Sequence, residues 1–572
     1  MEKNWKIKPE GNVHDIEHLA RTLNIDHVLA KMLVQRGIKT YAEAETFFRP
    51  ELTDLLDPFL MKDMDKAVAR IKKAFDNNEK ILVYGDYDVD GTTSVALVYS
   101  FFKEDYPHLG YYIPDRYSQG YGISIQGIDY ALNNNYGLII ALDCGIKAVD
   151  KIAYAKEKGI DFIICDHHTP DKKIPNAVAV LDPKRNDCPY PFKHLSGCGV
   201  GFKLLQGYAQ EYDIPFYRLE SYLDLVCVSI ASDIVPITGE NRVLAHFGLL
   251  QLNGNPSDGL KATIEVSNLR KKDITISDIV FKIGPRINAA GRMESGRKAV
   301  DLLISGSNEI AQEVIMEVNS FNDARKDLDR NITLEALQII DLSEELKSKK
   351  TTVLYREYWH KGVIGIVASR LIETYYRPTV IMTESNGFAT GSARTVEGFD
   401  LYSAVEACSD LLENFGGHTY AAGLTMKIEN VPEFERRFEE FVAKNITEDQ
   451  LVPQINIDTL IKLSDITPKF YRILKQFAPF GPDNMSPVFV TRNVIDWGTG
   501  KMVGKNEEHL KLDLMQGDNS HLVLPAIAFN QSEHFLIVKQ RIPFHVCYTL
   551  IENEFRGKIN LQMMVQDIKM EY

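Results

Sequence analysis

From about residue 78 onward, short apolar runs alternate with longer amphipathic stretches. Residues 81–84, 138–142 and 162–165 are runs of strand length, each separated from the next by enough chain for a crossover helix. TTSVALVYSFF, which follows the first run, reads as such a helix. This alternation predicts βαβ units and a mostly parallel sheet. Each run stops at acid: Asp86, Asp88 and Asp90 after the first, Asp143 after the second, Asp166 after the third. In parallel sheets functional side chains gather just past the carboxyl ends of the strands, so these acids are expected to converge.

Residues 308–350 hold neither proline nor glycine, and Ile310, Val314, Phe321, Leu328 and Ile332 recur at helical spacing. That predicts a long helix connecting two lobes. A second α/β segment follows, with strand-like TTVLY and PTVIM and then two glycine-rich loops. After about 450, the alternating segments HLKLDL, HLVLPAIAF and INLQMMVQDI predict a small β-barrel. The expected fold is therefore α/β: a mostly parallel-sheet domain and a second α/β domain joined by a long helix, with a C-terminal β-barrel. The expected boundaries are 1–60 for a helical lead-in, 61–305, 306–350 for the connecting helix, 351–447 and 448–572.

The 572 residues are 45% hydrophobic and 25% charged, as in a globular protein of several domains. No stretch approaches the roughly 18 apolar residues that span a bilayer, and MEKNWKIKPEG lacks the apolar core of a secretory signal. A cytoplasmic protein is expected. Seven scattered cysteines without a CxxC pair point to free buried thiols. The net charge of -14 does not advertise nucleic-acid binding, but phosphate binding follows local charge, not the sum.

Three carboxylates within DYDVDG, followed by Gly91, concentrate negative charge that cations would neutralise; a solvated acidic loop is the alternative. An EF-hand is disfavoured, because the twelfth position counted from Asp86 is Leu97 and not a bidentate glutamate. Asp166-His167-His168 lies at another strand end, and mixed Asp/His shells suit Mn2+ or Mg2+ better than structural zinc. Asp143 is placed to bridge two ions. Asp233 and Asp224 compete for a further ligand role. Asp233 is preferred because it follows the apolar VCVSIA, whereas Asp224 sits within an amphipathic stretch.

The ordered set DYDVDG, LDCG, DHH and ASD resembles the four motifs of the DHH phosphoesterase superfamily. PDRYSQGYGIS, GCGVGFKL, GPRINAAGRM, WHKGVIGIVASRL, GSART and FGGHTYAAGL resemble stretches of its RecJ family, in that family's order, from about residue 50 to the C-terminus. The resemblance implies a DHH domain, a connecting helix, a DHH-associated domain and an OB-fold. It also implies a single-strand-specific 5′→3′ DNA exonuclease of repair and recombination, releasing 5′-mononucleotides with two Mn2+ or Mg2+ ions. Carried over by motif, Asp86, Asp88, Asp90, Asp143, His167 and Asp233 are metal ligands, and Asp143, His167 and His168 are catalytic. Related enzymes often place a histidine near Asp86, where this chain has Tyr84 and Gly85. Single-strand-binding protein and a recombination helicase are partners the resemblance implies.

A nuclease must also hold a polyanion near its acidic centre. Residues 267–298 carry eight basic residues (Arg270, Lys271, Lys272, Lys282, Arg286, Arg292, Arg297, Lys298) against three acidic ones. Within GPRINAAGRM, Arg286, Asn288 and Arg292 sit among small residues that let backbone approach phosphate, a task suited to arginine forks. A solvated basic face is the alternative. Ser392, Arg394 and His418, in GSART and GGHTYAAG, are strand-binding candidates, with tight packing turns as the alternative. Trp359, Tyr121 and Phe480 are candidates for base stacking or for the core. Two other functions remain: a DHH-type phosphodiesterase of short oligonucleotides or cyclic dinucleotides, and a non-catalytic scaffold. The segment after 450 argues against the first, and the retained acidic and histidine positions against the second.

Overall fold

The computed structural model describes residues 2–269, 273–517, 522–555 and 557–570. Arg270, Lys271 and Lys272 of the basic stretch, and His521 of HLVLPAIAF, lie outside the described residues. The chain divides into two compact units, residues 51–451 and residues 1–50 with 452–572.

The first unit is built on a five-stranded, wholly parallel sheet: β1 (Lys80–Gly85), β2 (Leu109–Tyr112), β3 (Tyr136–Leu142), β4 (Asp161–Cys165) and β5 (Ala179–Leu181), in the order β2-β1-β3-β4-β5. The three apolar runs are thus neighbours at its centre. The sheet also has two short outer strands, β2 and β5, that no apolar run announced. Its central strands are buried on both faces, which is why they read as continuous hydrophobic runs. One face packs on a core shared with α1 (Val89–Lys103), α2 (Gly197–Glu211) and α3 (Leu223–Ser232). The other face, through Leu82, Tyr84, Ile139 and Ile164, packs on a smaller apolar cluster. All seven cysteines are buried free thiols.

After α4 (Gly284–Met293), α5 (Asn308–Asp341) runs for 34 residues. Ser307 caps it, accepting the Ile310 N–H. Ala311, Ile315 and Val318 bury its first half in the main core, while Ile332, Ala336 and Ile340 bury its second half against Trp359, Val363 and Val367. Val314, Phe321, Leu328 and Ile332 pack on these cores as their spacing predicted, whereas Ile310 is 52% exposed. Beyond α5, β6 (Thr352–Tyr355), β7 (Thr379–Ser385), β8 (Phe388–Arg394), β9 (Leu412–His418) and β10 (Ala421–Met426) form a mixed sheet in the order β9-β10-β8-β7-β6. The glycine-rich segments read as loops are strands here, since GSART runs along β8 into its end and FGGH ends β9.

In the second unit, Phe489–Asp496 pairs with both Phe544–Phe555 and His509–Gln516. Lys558–Lys569 and Leu524–Ala528 complete the circuit, closing a five-stranded barrel of the OB type. Leu510, Leu512, Leu514, Val546, Met563 and Val565 belong to its buried core. Helices Val13–Leu23, His27–Gln35 and Tyr41–Phe48 share that core, and Asn4–Ile7 pairs in parallel with Gln454–Ile457. Among the described residues no helix is long and apolar enough to cross a membrane.

Candidate metal centre and its arginine flank

The acids that end β1, β3 and β4 meet at one edge of the parallel sheet. Asp86 follows β1 directly and is fully buried, and neither of its carboxylate oxygens has a hydrogen-bond partner. Burial, reinforced by the charge of Asp88, pushes its pKa well above the carboxylate range. Asp88 caps α1 by accepting the Gly91 N–H at 3.0 Å. A Cβ on Gly91 would lie 2.5 Å from the Asp86 carbonyl oxygen and 2.6 Å from its nitrogen, so glycine is what lets the helix start against the strand end. Asp90, in the first turn of α1, accepts the N–H groups of Gly197 and Cys198 at 2.7 and 2.8 Å and the Ser229 hydroxyl at 2.7 Å. It is thereby locked to the N-terminus of α2, where the helix dipole favours negative charge.

Asp143 follows β3 with φ of 58°, a left-handed conformation that aspartate tolerates at a cost. Its N–H is held by the Cys165 carbonyl at 2.9 Å. A Cβ on Gly197 would meet the Asp143 Cβ at 2.5 Å, so glycine at the head of α2 makes room for this carboxylate. His167 lies in the middle of the acids: its Nε2 is 3.2 Å from Asp143 Oδ1, 3.6 Å from Asp233 Oδ2 and 3.7 Å from Asp90 Oδ2. Burial lowers its pKa to about 4 against the pull of Asp90, so the ring is neutral at pH 7, the ligating form. Asp233 follows α3. Asp224 is buried at the other end of that helix, where it accepts the N–H groups of Leu225 and Ser257 at 2.7 and 2.8 Å. The geometry therefore brings Asp233, and not Asp224, to His167.

His168 has a different environment. Its Nδ1 is 2.7 Å from Asp166 Oδ1, and the Asp166 carboxylate also accepts the N–H groups of His167, His168 and Ile146. Burial pulls the His168 pKa down, but the hydrogen bond and charge of Asp166 outweigh it and raise the value to about 9. Asp166 itself is held below the usual range: burial raises it, and the bond to His168 with the two histidine charges prevails. Asp166 thus spends its carboxylate on backbone N–H groups and on the His168 ring. Tyr121 OH lies 3.3 Å from His168 Nε2. The fifth strand ends in another buried acid, Asp182, whose Oδ2 lacks a partner and whose pKa burial raises to about 7.

Two ligand-forming groups overlap at His167: Asp143, His167 and His168, and Asp90, His167 and Asp233. Both Asp86 oxygens, Asp143 Oδ1 and both His167 nitrogens are buried without hydrogen-bond partners. Buried polar atoms are normally satisfied, and repelling carboxylates around a neutral imidazole are satisfied by cations. Oxygen and imidazole donors without thiolate fit Mn2+ or Mg2+.

An arginine cluster flanks this pocket. Arg292, on α4, donates to the Gly362 carbonyl at 3.0 Å. Burial, then the charges of Arg116, Arg325 and Arg394, lower its pKa to about 9, with Asp88 opposing. Arg116 donates to the Gly291 carbonyl at 2.9 Å and stacks on the Tyr87 ring at 4.0 Å. Arg394 donates to Ser392 Oγ at 3.0 Å, and both lie on β8. The mutual repulsion of these charges, only partly offset by Asp88, would be relieved by an anion. Arg286 is tied to the Lys282 carbonyl and Asn319, and Asn288 Oδ1 is buried without a partner. Lys282 and Lys298 instead pair with Asp278 and Glu317. His418 ends β9, largely exposed; partial desolvation by its surroundings lowers its pKa, with the charges of His168, Lys147 and Lys184 adding to the effect. Trp359 is core, 3% exposed and bonded to Glu335, and Phe480 packs half-buried on the barrel core. Of these three stacking candidates Tyr121 is the open one, 48% exposed with its hydroxyl 3.3 Å from His168 Nε2.

Fold and site together define a DHH-type phosphoesterase architecture. The description "DHH family, N-terminal domain" matches residues 80–230, "DHHA1 domain" residues 348–444, and "RecJ OB domain" residues 457–567. The single-stranded-DNA-specific exonuclease RecJ of Bacillus subtilis is 34% identical over 98% of this chain and 70% of that protein. Its counterpart in Escherichia coli is 30% identical over 95% of each. The crystal structure of Thermus thermophilus RecJ in complex with Mn2+ superposes with a TM-score of 0.85 at 25% identity, covering 100% of this chain and 80% of that one. The chain belongs to the RecJ family.

Proposed function

We propose that Asp86, Asp88, Asp90, Asp143, His167 and Asp233 hold two Mn2+ or Mg2+ ions with which this chain hydrolyses single-stranded DNA. The enzyme is a metal-dependent, single-strand-specific DNA exonuclease, as its family membership supports. It degrades 5′→3′ and releases 5′-mononucleotides in the cytoplasm, in repair and recombination. The carrying observation is His167 Nε2 within 3.2 to 3.7 Å of the carboxylates of Asp143, Asp233 and Asp90.

Bound there, a pair of divalent ions supplies Lewis-acid stabilisation of phosphate charge and an acidified water. The chain's own residues do the rest. Arg292, Arg394 and Arg116, with Ser392, neutralise and orient backbone phosphate. Arg286, Asn288 and His418 extend that contact along the strand. Release of a 5′-mononucleotide breaks the bond between phosphorus and the terminal nucleotide's 3′-oxygen. His168, kept protonated by Asp166, is the group that donates a proton to that oxygen. Segments 61–305 and 351–447 carry this work, and the 448–572 barrel supplies a sequence-tolerant strand groove. Single-strand-binding protein and a recombination helicase are the partners this reading adds.

The test is digestion of end-labelled single strands, duplexes and dinucleotides with Mn2+ and with EDTA. Stepwise loss from the 5′ end of single strands, abolished by EDTA, is expected. Exclusive cleavage of dinucleotides would instead favour the small-substrate phosphodiesterase, which the barrel leaves without a purpose.

A further inference from the structure

Asp90 faces His167 with one carboxylate oxygen and is anchored by the other. Its Oδ2 is 3.7 Å from His167 Nε2 and also accepts the Gly197 N–H. Its Oδ1 accepts the Cys198 N–H at 2.8 Å and the Ser229 hydroxyl at 2.7 Å. Ser229 is fully buried on α3, and its own carbonyl accepts the Asp233 N–H at 2.9 Å. One residue is therefore bonded to two members of the group Asp90, His167 and Asp233.

The proton on Ser229 has a single destination. The Ser229 and Ser196 hydroxyl oxygens lie 2.6 Å apart, and Ser196 Oγ accepts the Gly199 N–H at 3.1 Å as the N-cap of α2. A hydroxyl has one proton to give, and an ionised carboxylate can only accept. Ser229 therefore donates to Asp90, and Ser196 donates to Ser229. Both serines are fully buried, so the loss of either bond leaves a polar atom unsatisfied. The chain of donors starts at the N-terminus of α2 and ends on Asp90.

We infer that Ser229 is a positioning residue that sets how tightly the Asp90 side of the centre holds its divalent cation. The inference rests on the proposed ligand set. Two effects of the hydroxyl compete. Its proton draws charge from Asp90, which weakens a ligand. It also holds Asp90 in place against the charges of Asp143 and Asp233, which Asp90 repels. Position prevails: without the hydroxyl, Oδ1 keeps one bond, and a carboxylate among like charges turns away from them. Hydrogen-bond partners of ligating groups act in this way, and their loss weakens metal binding by about 10- to 100-fold.

The experiment titrates Mn2+ into the full, metal-stripped chain and reads the EPR signal of free Mn2+, which needs no turnover. Ser229→Ala is expected to weaken at least one site by about 10- to 100-fold. The Mn2+ concentration for half-maximal cutting of a single strand is expected to rise by a similar factor. Ser196→Ala, one bond further out, is expected to weaken binding less, because Ser229 can still donate. Ser229→Cys keeps the shape of the side chain with a weaker donor, and it replaces Ser229→Ala should melting curves in EDTA show that variant unfolded. Unchanged Mn2+ affinity in a folded Ser229 variant overturns the inference and leaves the metal centre standing, even where the melting temperature drops. A larger loss from Ser196→Ala than from the Ser229 variant overturns it as well. Failure of the unmodified protein to bind Mn2+ overturns the ligand set, and this inference with it.

Discussion

Asp166 Oδ1 and His168 Nδ1 lie 2.7 Å apart, while the adjacent His167 ring has no hydrogen-bond partner on either nitrogen. Two consecutive histidines are thereby given opposite states, His167 neutral with a pKa near 4 and His168 protonated with a pKa near 9. One is available to a cation and the other to a phosphate oxygen. Asp166→Asn removes the carboxylate that raises His168. In metal-free protein the His168 ring is expected to titrate near its ordinary value of about 6.5 instead of near 9, read by NMR of the ring protons. Activity of the variant should fall mainly in kcat and most steeply on the alkaline side. An unshifted His168 titration would show that Asp166 does not set its charge.

Asp143 is the carboxylate closest to His167, and its Oδ1 is buried without a hydrogen bond. Asp143→Ala should lower cleavage by at least about 100-fold, the scale reached when even an outer-shell partner of a metal site is lost. Binding of single-stranded DNA, measured by fluorescence anisotropy, should be nearly unchanged if it rests on the arginines as proposed. Near-normal turnover would remove Asp143 from the metal set.

The strand ends that build this centre were legible because β1, β3 and β4 are buried on both faces and stop abruptly at Asp86, Asp143 and Asp166. Sequence gave no such signal for β2, whose residues LGYY are only half-buried, or for β5, only three residues long. Glycine and serine in GSART and FGGH suggested loops, but each segment lies in a strand, where Gly391 and Gly417 sit close to neighbours: a Cβ on Gly391 would meet Met382 at 2.7 Å. The arginine cluster was half visible. Arg292 and Arg394 were singled out as candidates, whereas Arg116, although it stands in PDRYSQGYGIS, and Arg325, a single charge on the connecting helix, were not. On α5 a single predicted position fails, since small Ala311, not Ile310, fits against the core. The N-terminal helices share a core with the barrel across more than four hundred residues of chain, and no local pattern encodes that.

Metal removal should change stability as well as rate. Burial and mutual repulsion raise the pKa values of Asp86, Asp143 and Asp233 well above the usual range. A carboxyl with a raised pKa holds more protons folded than unfolded, so its contribution to stability falls as pH climbs above the ordinary range of about 4. Bound cations reverse this, because the ligands are then deprotonated. In EDTA, Asp143→Asn should therefore melt above the unmodified protein, by a margin that widens from pH 5 to pH 8. With Mn2+ the order should invert, since the unmodified protein gains ligand-linked stability that the variant lacks. Scanning fluorimetry in both buffers reads both effects. A variant that melts below the parent in EDTA at pH 8 would mean that these carboxylates do not repel one another.

The arginines set a last expectation. Arg292 is surrounded by three other arginine charges and lies near Asp88, whereas Arg286 is tied to the Lys282 carbonyl and to Asn319 on α5. An anion relieves the repulsion at Arg292 but has less to relieve at Arg286. Each phosphate contact to a single strand contributes roughly 0.7 to the slope of log K against log salt. Arg292→Ala should therefore weaken single-strand binding more than Arg286→Ala, and each should flatten the slope by about one contact's worth. Conversely, Arg292→Ala should stabilise the DNA-free protein slightly, because a buried like charge is removed from the cluster. Binding isotherms at several salt concentrations, with melting curves of the free proteins, measure both. A salt slope unchanged by Arg292→Ala would mean that phosphate does not enter the cluster, and the strand would have to reach the metal centre by another face.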